Sequence, residues 1–166
     1  MKPSFFLDRD GVINIDKGYV YKIKDFEWVE DAGKAIKLMN DSGYYVFVVT
    51  NQSGISRGFY DEKDVENLHL YINEELKKTN AAINDFFISP YHPESKTQKY
   101  DNLKHLRKPE TGMLRQACEK WSVDIKNSFL IGDKQTDILC GKNYGINSFL
   151  FKGGNLHEFV CQILKK

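Results

Sequence analysis

The sequence predicts an α/β fold, a three-layer sandwich in which helices cover both faces of a central parallel sheet. Short apolar runs alternate along the chain with segments of helical periodicity, a pattern typical of strand–helix–strand crossovers. One of these runs, residues 44–49, is apolar or aromatic at every position, as expected for a strand buried on both faces. In open sheets of this kind, ligands bind beyond the carboxyl ends of the strands.

The elements follow each other in a regular order. A first strand covers Ser4–Leu7, and apolar residues at helical spacing then predict a helix over residues 32–39, which Gly43 ends. The further predicted elements are a strand over 44–49, a helix capped by Asp61, a strand over Asp85–Ser89, a helix capped by Thr111, a strand over 128–132, a helix over 135–143 and a strand over 146–151. Residues 16–30 and 91–108 do not fit the alternation, and long loops in a small protein are frequently functional.

Length and composition restrict the function classes. The 166 residues, 41% hydrophobic and 28% charged, are enough for one compact domain, 1–166, with its own core. Because the sequence has no apolar run of about 18 residues and no signal peptide, we expect neither a membrane span nor secretion. Three cysteines without a C-x-x-C pair fit a cytoplasmic protein with reduced thiols. The 24 basic and 23 acidic residues form no basic block, which argues against nucleic-acid binding.

Polar residues follow three of the predicted strands. Asp8 and Asp10 come after the first strand, Thr50 and Asn51 after the second, and Asp133 after the fourth. Each of them alone is common as a turn or cap residue, but parallel strands bring all of them to one edge of the sheet. Because carboxylates repel each other at short range, such a cluster needs a cation. Oxygen ligands that leave room for water and a phosphate group suit Mg²⁺.

The D-x-D spacing places Asp8 and Asp10 on the same side of an extended chain. Arg9 is then expected to point the other way and brace the strand, while Gly11 permits a sharp exit. Arg107 and Lys108 precede Pro109 and offer positive charge for a phosphoryl group. Taken alone, those two residues are better interpreted as a solvated basic pair.

Five motifs carry a resemblance to a known family: "FLDRDGVIN", "DKGYV", "VVTNQSGISRG", "RKPETGM" and "IGDKQTD". Over about residues 4–150 the chain resembles the haloacid-dehalogenase-like superfamily, and within it the D-glycero-D-manno-heptose 1,7-bisphosphate phosphatases. The resemblance implies a capless, Rossmann-like fold. It also implies Mg²⁺-dependent removal of the 7-phosphate, in the synthesis of nucleotide-activated heptose for lipopolysaccharide or other surface glycans. The sister group, the histidinol-phosphate phosphatases, is the alternative, although "DKGYV" and "TNQSGISRG" favour the heptose family.

The resemblance implies a role for each residue of the site. Asp8 is the nucleophile that forms an aspartyl phosphate, and Asp10 is the general acid and base. The carboxylates of Asp8 and Asp133 and the backbone carbonyl of Asp10 hold Mg²⁺. Thr50 and Lys108 stabilise the phosphoryl oxygens. The residues implied in substrate recognition are Asp16, Lys17, Gly18, Tyr19, Asn51, Gln52, Ser53, Arg107 and Lys134.

Three positions complete or depart from this pattern. Asp137, four residues after Asp133, is interpreted as support for the site and not as a ligand. Val12 stands where the family usually has threonine. Many relatives bind structural zinc in the long loop, but here the four ligand positions hold Ser89, Tyr91, Lys104 and Leu106, so no structural zinc is expected. We interpret His92 and His105 as loop histidines, and expect the loop to be held by Pro90, Pro93, Tyr91, Tyr100 and Leu106.

Two other classes of protein share part of these features. A signalling receiver also combines aspartates, threonine and lysine around Mg²⁺, but its phosphorylated aspartate follows a later strand, whereas D-x-D-G comes first here. A non-catalytic descendant of a phosphatase is the other alternative, although every group for catalysis is present. The intervals on either side of Thr50 leave no room for a cap domain, which predicts an open pocket. We expect a monomer that acts on a small sugar phosphate, without a nucleic-acid or membrane partner.

Overall fold

The structure is a computed structural model and describes residues 1–165. Within this range five strands form one parallel sheet in the order β3-β2-β1-β4-β5. The strands are β1 (Ser4–Leu7), β2 (Tyr45–Asn51), β3 (Asp85–Ser89), β4 (Phe129–Gly132) and β5 (Asn147–Leu150). β1 therefore lies in the middle, paired with β2 on one side and β4 on the other, and the predicted fold class is confirmed.

Five α-helices connect or follow these strands in the described part of the chain. They are α1 (Ala32–Asp41), α2 (Glu62–Lys77), α3 (Gly112–Lys120), α4 (Gln135–Tyr144) and α5 (Leu156–Leu164), with short 3-10 helices at Ile23–Asp25, Asp101–Leu106 and Ile125–Asn127. The predicted cap of α2 is present, because Asp61 and Asp64 each accept the other's backbone N–H. Helix α5 was not predicted. Within residues 1–165, every helix is too short or too polar to traverse a lipid bilayer.

Alternate side chains of the central strands enter two core layers. Phe5 and Leu7 of β1 lie in the layer that α1, α2 and α5 cover, whereas Phe6 lies in the layer covered by α3 and α4. All three side chains are fully buried. β2 is apolar on both faces in the same way, with Val48 in the first layer and Phe47 in the second. Both central strands are thus fixed from two sides, and the residues that follow them emerge at a rigid edge.

The polar stretch 91–108 is anchored by a buried tyrosine. Tyr100 packs against Ile55, Tyr60 and Val65, and its hydroxyl donates a hydrogen bond to Glu62 at 2.6 Å. This bond holds the pKa of the Glu62 carboxyl below its ordinary value. Farther along the loop, Leu106 is buried in the core layer of α3. The Ser95 hydroxyl also donates to the carbonyl of Ser56 at 2.8 Å. Tyr100 and Leu106, two residues expected to hold the loop, therefore do so.

Tyr100→Phe tests this anchor, since it removes the hydroxyl and keeps the ring. We expect the free energy of unfolding to fall by about 1 kcal/mol, the usual net contribution of one hydrogen bond. Limited proteolysis between residues 94 and 99 should become faster. Tyr44→Phe is the matched control, because its ring packs against Phe5, far from this loop. Unchanged cleavage in Tyr100→Phe would show that the hydroxyl does not hold the loop.

Candidate active site

A pocket of about 230 Å³ lies beyond the carboxyl ends of β1, β2 and β4. It contains most of the residues that the sequence analysis selected. Its lining consists of Asp8, Asp10, Asp16, Gly18, Tyr19, Asn51, Gln52, Ser53, Tyr60, Lys108, Lys134, Thr136 and Asp137. Ligands of open parallel sheets typically bind at this position.

The ammonium group of Lys108 occupies the floor of this pocket. It lies 3.0 Å from Asp8 Oδ1 and 2.6 Å from Asp137 Oδ1, and it donates to the Val49 carbonyl at 2.7 Å. The lysine is only 3% exposed. Burial by itself lowers the pKa of Lys108, but the carboxylates of Asp8 and Asp137 outweigh it and raise that pKa above its ordinary value. Lys108 is therefore a fixed positive charge.

Three carboxylates converge beside this lysine. Oxygen atoms of Asp8, Asp133 and Asp137 lie within 4.8 Å of one another. Burial raises the pKa of Asp8 to about 7, although Lys108 acts in the opposite direction, and burial also raises the pKa of Asp133. Oδ1 of Asp133 is buried and finds no hydrogen-bond partner in the described range. A single ammonium cannot neutralise three ionised carboxylates, so the group is short of positive charge.

Asp137 differs from the other two carboxylates in its bonds. One oxygen faces Lys108, and the other accepts the backbone N–H of Lys134 at 3.0 Å, which caps the start of α4. The unpartnered Oδ1 of Asp133 and the part of Asp8 that lines the pocket remain for a cation. This oxygen-only set fits Mg²⁺. The sequence-based interpretation of Asp137 as support for the site agrees with its bonds.

Gly11 provides the room that the carboxylates need. Its φ is +87°, a backbone conformation that favours glycine. A Cβ atom at this position would also lie 2.6 Å from Cγ of Asp133. Gly11 therefore allows the sharp exit after Asp10, as expected, and in addition keeps space open for the Asp133 carboxylate.

Asp10 lies in a different environment, surrounded by hydrogen-bond donors. Its Oδ1 accepts from Arg9 Nη2 at 3.1 Å and from Asn14 Nδ2 at 3.0 Å. Its Oδ2 accepts from Gln52 Nε2 at 3.0 Å. Arg9 is fully buried and also donates to the Val20 carbonyl, which agrees with its expected bracing role. The expectation that it points away from the two aspartates was wrong, because its guanidinium group turns back to Asp10. The sequence analysis missed Asn14, whose only signal was its position four residues after Asp10.

Two side-chain amides at the end of β2, those of Asn51 and Gln52, hold neighbouring groups in place. Gln52 donates to Thr50 Oγ1 at 2.8 Å, and its carbonyl oxygen accepts from Tyr60, a residue that was not selected from the sequence, at 2.7 Å. The Asn51 side chain accepts the backbone N–H of Lys108 at 3.0 Å and donates to its carbonyl at 3.3 Å. Both amides therefore orient other residues of the site, and their implied contacts with substrate stay a prediction.

The mouth of the pocket contains a lysine and an aromatic pair. Lys134 Nζ lies 3.7 Å from Asp16 Oδ2, and Asp16 Oδ1 accepts the backbone N–H of Gly18 at 3.0 Å. Tyr19 meets the exposed Phe59 edge to face, with ring centroids 4.8 Å apart.

Two of the residues implied in recognition lie outside this lining. Lys17 turns away to form an ion pair with Glu27 at 2.7 Å. Arg107 lines an adjacent cavity together with Pro93, and its Nη1 donates to the Tyr91 carbonyl at 3.3 Å. Their parts in substrate binding stay predictions.

The chain is similar to known proteins over nearly its whole length. The HAD-hydrolase-like family profile matches residues 105–159. A D-glycero-beta-D-manno-heptose-1,7-bisphosphate 7-phosphatase from Rhodopseudomonas palustris is 40% identical over 163 residues, which are 98% of this chain and 91% of that protein. A D-glycero-alpha-D-manno-heptose-1,7-bisphosphate 7-phosphatase from Campylobacter jejuni is 39% identical, over 89% of this chain and 80% of that protein.

The fold of the chain is also similar to that of a solved structure. The D,D-heptose 1,7-bisphosphate phosphatase from B. bronchiseptica, in complex with magnesium and phosphate, superposes with a TM-score of 0.79 at 26% identity. The match covers 96% of this chain and 86% of that protein. With this fold, this arrangement of carboxylates around a buried lysine and these relatives, the chain belongs to the haloacid-dehalogenase-like hydrolases, in the family of the heptose-1,7-bisphosphate 7-phosphatases.

Proposed function

We propose that this protein is a Mg²⁺-dependent phosphatase that removes the 7-phosphate of D-glycero-D-manno-heptose 1,7-bisphosphate. Membership of the family makes it a phosphoric monoester hydrolase. The observation that carries the proposal is the pair of carboxylates after β1, of which Asp8 lies against Lys108 and Asp10 is held by donors. The product would feed the synthesis of nucleotide-activated heptose for lipopolysaccharide or other surface glycans.

The proposed reaction has two steps at the same phosphorus atom. The Asp8 carboxylate attacks phosphorus, the bond to the sugar oxygen breaks, and Asp10 gives its proton to that oxygen. Asp10 then takes a proton from a water molecule that attacks the aspartyl phosphate, which releases phosphate and restores Asp8. Lys108, only 3.0 Å from Asp8, stabilises the negative oxygens of the transferred group throughout.

The acidic group is the proposed Mg²⁺ site. Asp8 and Asp133 would hold the ion with their carboxylates and Asp10 with its backbone carbonyl. The unpartnered buried oxygen of Asp133 supports this assignment. When bound, the ion neutralises charge on the phosphoryl group and helps to orient it.

The shape of the pocket favours the terminal phosphate of the heptose as the reacting one. Asp8 lies at the bottom of a cavity of only about 230 Å³. A primary phosphate on an extended stem reaches it without the sugar ring following. The anomeric phosphate then stays near the mouth, where Lys134 lines the pocket and Arg107 lies beside the adjacent cavity. Binding of this remote phosphate contributes energy that a monophosphate lacks.

Replacement of the two carboxylates separates their roles. Asp8→Asn should abolish turnover and any covalent phosphoenzyme, because the nucleophile is lost. Asp10→Asn should lower kcat by roughly 10²–10⁴-fold, the usual contribution of general acid–base catalysis. Phosphate release and mass spectrometry of acid-quenched protein measure both effects. Asp41→Asn, an exposed residue of α1, is the control. Near-normal activity in either variant refutes the assignment.

Loss of the Asp133 carboxylate should remove the response to Mg²⁺. We expect Mg²⁺ at about 100 times its Kd to raise the free energy of unfolding of the native protein by about 2.7 kcal/mol. Asp133→Asn should lose most of this increment, whereas Asp41→Asn should keep it. Urea unfolding with Mg²⁺ and with EDTA measures the difference. An equal Mg²⁺ effect in Asp133→Asn places the ion elsewhere.

Substitution of the cations at the mouth tests the choice of substrate. Lys134→Ala and Arg107→Ala should each lower kcat/KM for the heptose bisphosphate. The expected loss of transition-state stabilisation is about 1.5–3 kcal/mol, the usual contribution of a charged hydrogen bond. Their activity on p-nitrophenyl phosphate should hardly change. Lys142→Ala, which replaces an exposed lysine of α4, the helix that Lys134 precedes, is the control.

Two results contradict this view of the substrate. Equal losses on both substrates would assign the variant residue to the reacting phosphate or to the fold. Preference of the native protein for histidinol phosphate over the heptose bisphosphate would overturn the proposed substrate while leaving the phosphatase chemistry in place.

A further inference from the structure

A histidine of α2 lies behind the active site, in contact with Arg9. His69 is 6% exposed, and its ring stacks on Phe86 with centroids 4.2 Å apart and an interplanar angle of 16°. Its Nε2 lies 3.3 Å from Arg9 Nη1. Because a guanidinium group only donates hydrogen bonds, Nε2 must be the acceptor, and the imidazole is neutral. Burial, assisted by the charge of Arg9, lowers the pKa of His69 well below its ordinary value, which agrees with this state.

The bonds of Arg9 show why this contact matters. Nη2 lies 3.1 and 3.2 Å from the two oxygens of Asp10 and also donates to the Val20 carbonyl, whereas Nη1 faces His69. Nε is buried without a hydrogen-bond partner among residues 1–165. The two terminal nitrogens therefore orient the planar guanidinium. Because the group is rigid, the bond at Nη1 helps to fix the direction in which Nη2 approaches Asp10.

We propose that His69 is a positioning residue, which holds Arg9 so that the Asp10 carboxylate keeps the direction needed for proton transfer. The inference rests on the proposed function, in which Asp10 is the general acid. His69 itself lies on α2 behind Arg9 and outside the lining of the pocket. Its effect on the first step should therefore appear as slower release of the leaving group, and only for substrates whose leaving group needs a proton.

Comparison of two substrates with different leaving groups distinguishes a positioning role of His69 from a purely structural one, which would affect both substrates alike. A sugar alkoxide leaves poorly and depends on the proton from Asp10, whereas p-nitrophenolate leaves without it. A misplaced Asp10 therefore slows release of the sugar in the first step and hardly affects release of p-nitrophenolate. The second step, in which Asp10 takes a proton from water, is the same for both substrates. The first step is therefore measured alone, as release of the leaving group in single turnovers with enzyme in excess. Misplacement of a catalytic group by about 1 Å typically costs on the order of 10²-fold in rate.

Three variants of His69 distinguish the effect of losing the hydrogen-bond acceptor from the effect of altered packing. His69→Leu removes the acceptor and should lower the single-turnover rate of sugar release from the heptose bisphosphate by roughly 10–100-fold. In His69→Gln the side-chain oxygen reaches about as far as Nε2, so this variant should recover most of the loss. His69→Asn is equally polar but too short and should behave like the leucine variant. The single-turnover release of p-nitrophenol should stay within about threefold of the native protein in all three variants.

The controls distinguish failure of this inference from failure of the proposed function. Asp10→Asn, assayed in the same single turnovers on both substrates, should show the same selective loss in a larger amount. If Asp10→Asn is selective and the His69 variants are not, His69 does not position Asp10. If Asp10→Asn slows release of both leaving groups equally, its role as general acid is refuted, and the inference falls with it. Should His69→Leu unfold, as urea denaturation would reveal, the comparison of His69→Gln with His69→Asn decides, and equal single-turnover rates of sugar release from the bisphosphate overturn the inference.

Discussion

The buried ammonium of Lys108 is the interaction on which the site depends. Asp8 follows β1, Val49 belongs to β2 and Asp137 to α4, so one charge joins three elements of the fold. Removing a charge from water costs several kcal/mol, and this cost is offset only because three acceptors surround the ammonium. Without Lys108, the two carboxylates would face each other unpaired in a buried space. The position of this lysine is set in turn by Asn51, which binds its backbone on both sides.

The two aspartates after β1 are chemically identical, but their environments differ in the way that their proposed roles require. Burial raises the pKa of Asp8 to about 7, and the neighbouring carboxylates leave its site short of positive charge, which favours a cation. Asp10, two residues later, accepts hydrogen bonds from Arg9, Asn14 and Gln52. Such fixed donors define the direction of the carboxylate, which proton transfer requires, whereas a nucleophile beside a cation needs an unobstructed oxygen.

The sequence predicts the fold and the polar ends of the strands, because both follow from local patterns. The sequence predicted the bounds of β1 and β3 correctly. It also predicted that Lys108 and Asp8 belong to one site, where they form an ion pair. Side-chain directions set by tertiary packing were not. His69 stands next to Leu68 in the apolar pattern of α2, and nothing local reveals its contact with Arg9, 60 residues away. Adjacent residues also differ in position: Lys108 lines both the pocket and the neighbouring cavity, whereas Arg107 lines only the neighbouring cavity.

Helix α2 connects the long loop with the proposed acid. Glu62 in its first turn accepts the Tyr100 hydroxyl, Val65 packs in the same apolar cluster as that ring, and His69 one turn later contacts Arg9. These positions are spaced by three and four residues, so they share one face of the helix. The loop ends at Lys108, and Arg9 leads to Asp10. The loop and Arg9 therefore lie against one face of the helix, which gives a common support to Lys108, proposed to stabilise the phosphoryl oxygens, and to Asp10, proposed to move the proton. Both attachments are made by side chains, while the expectation that this loop binds no structural zinc stays a prediction.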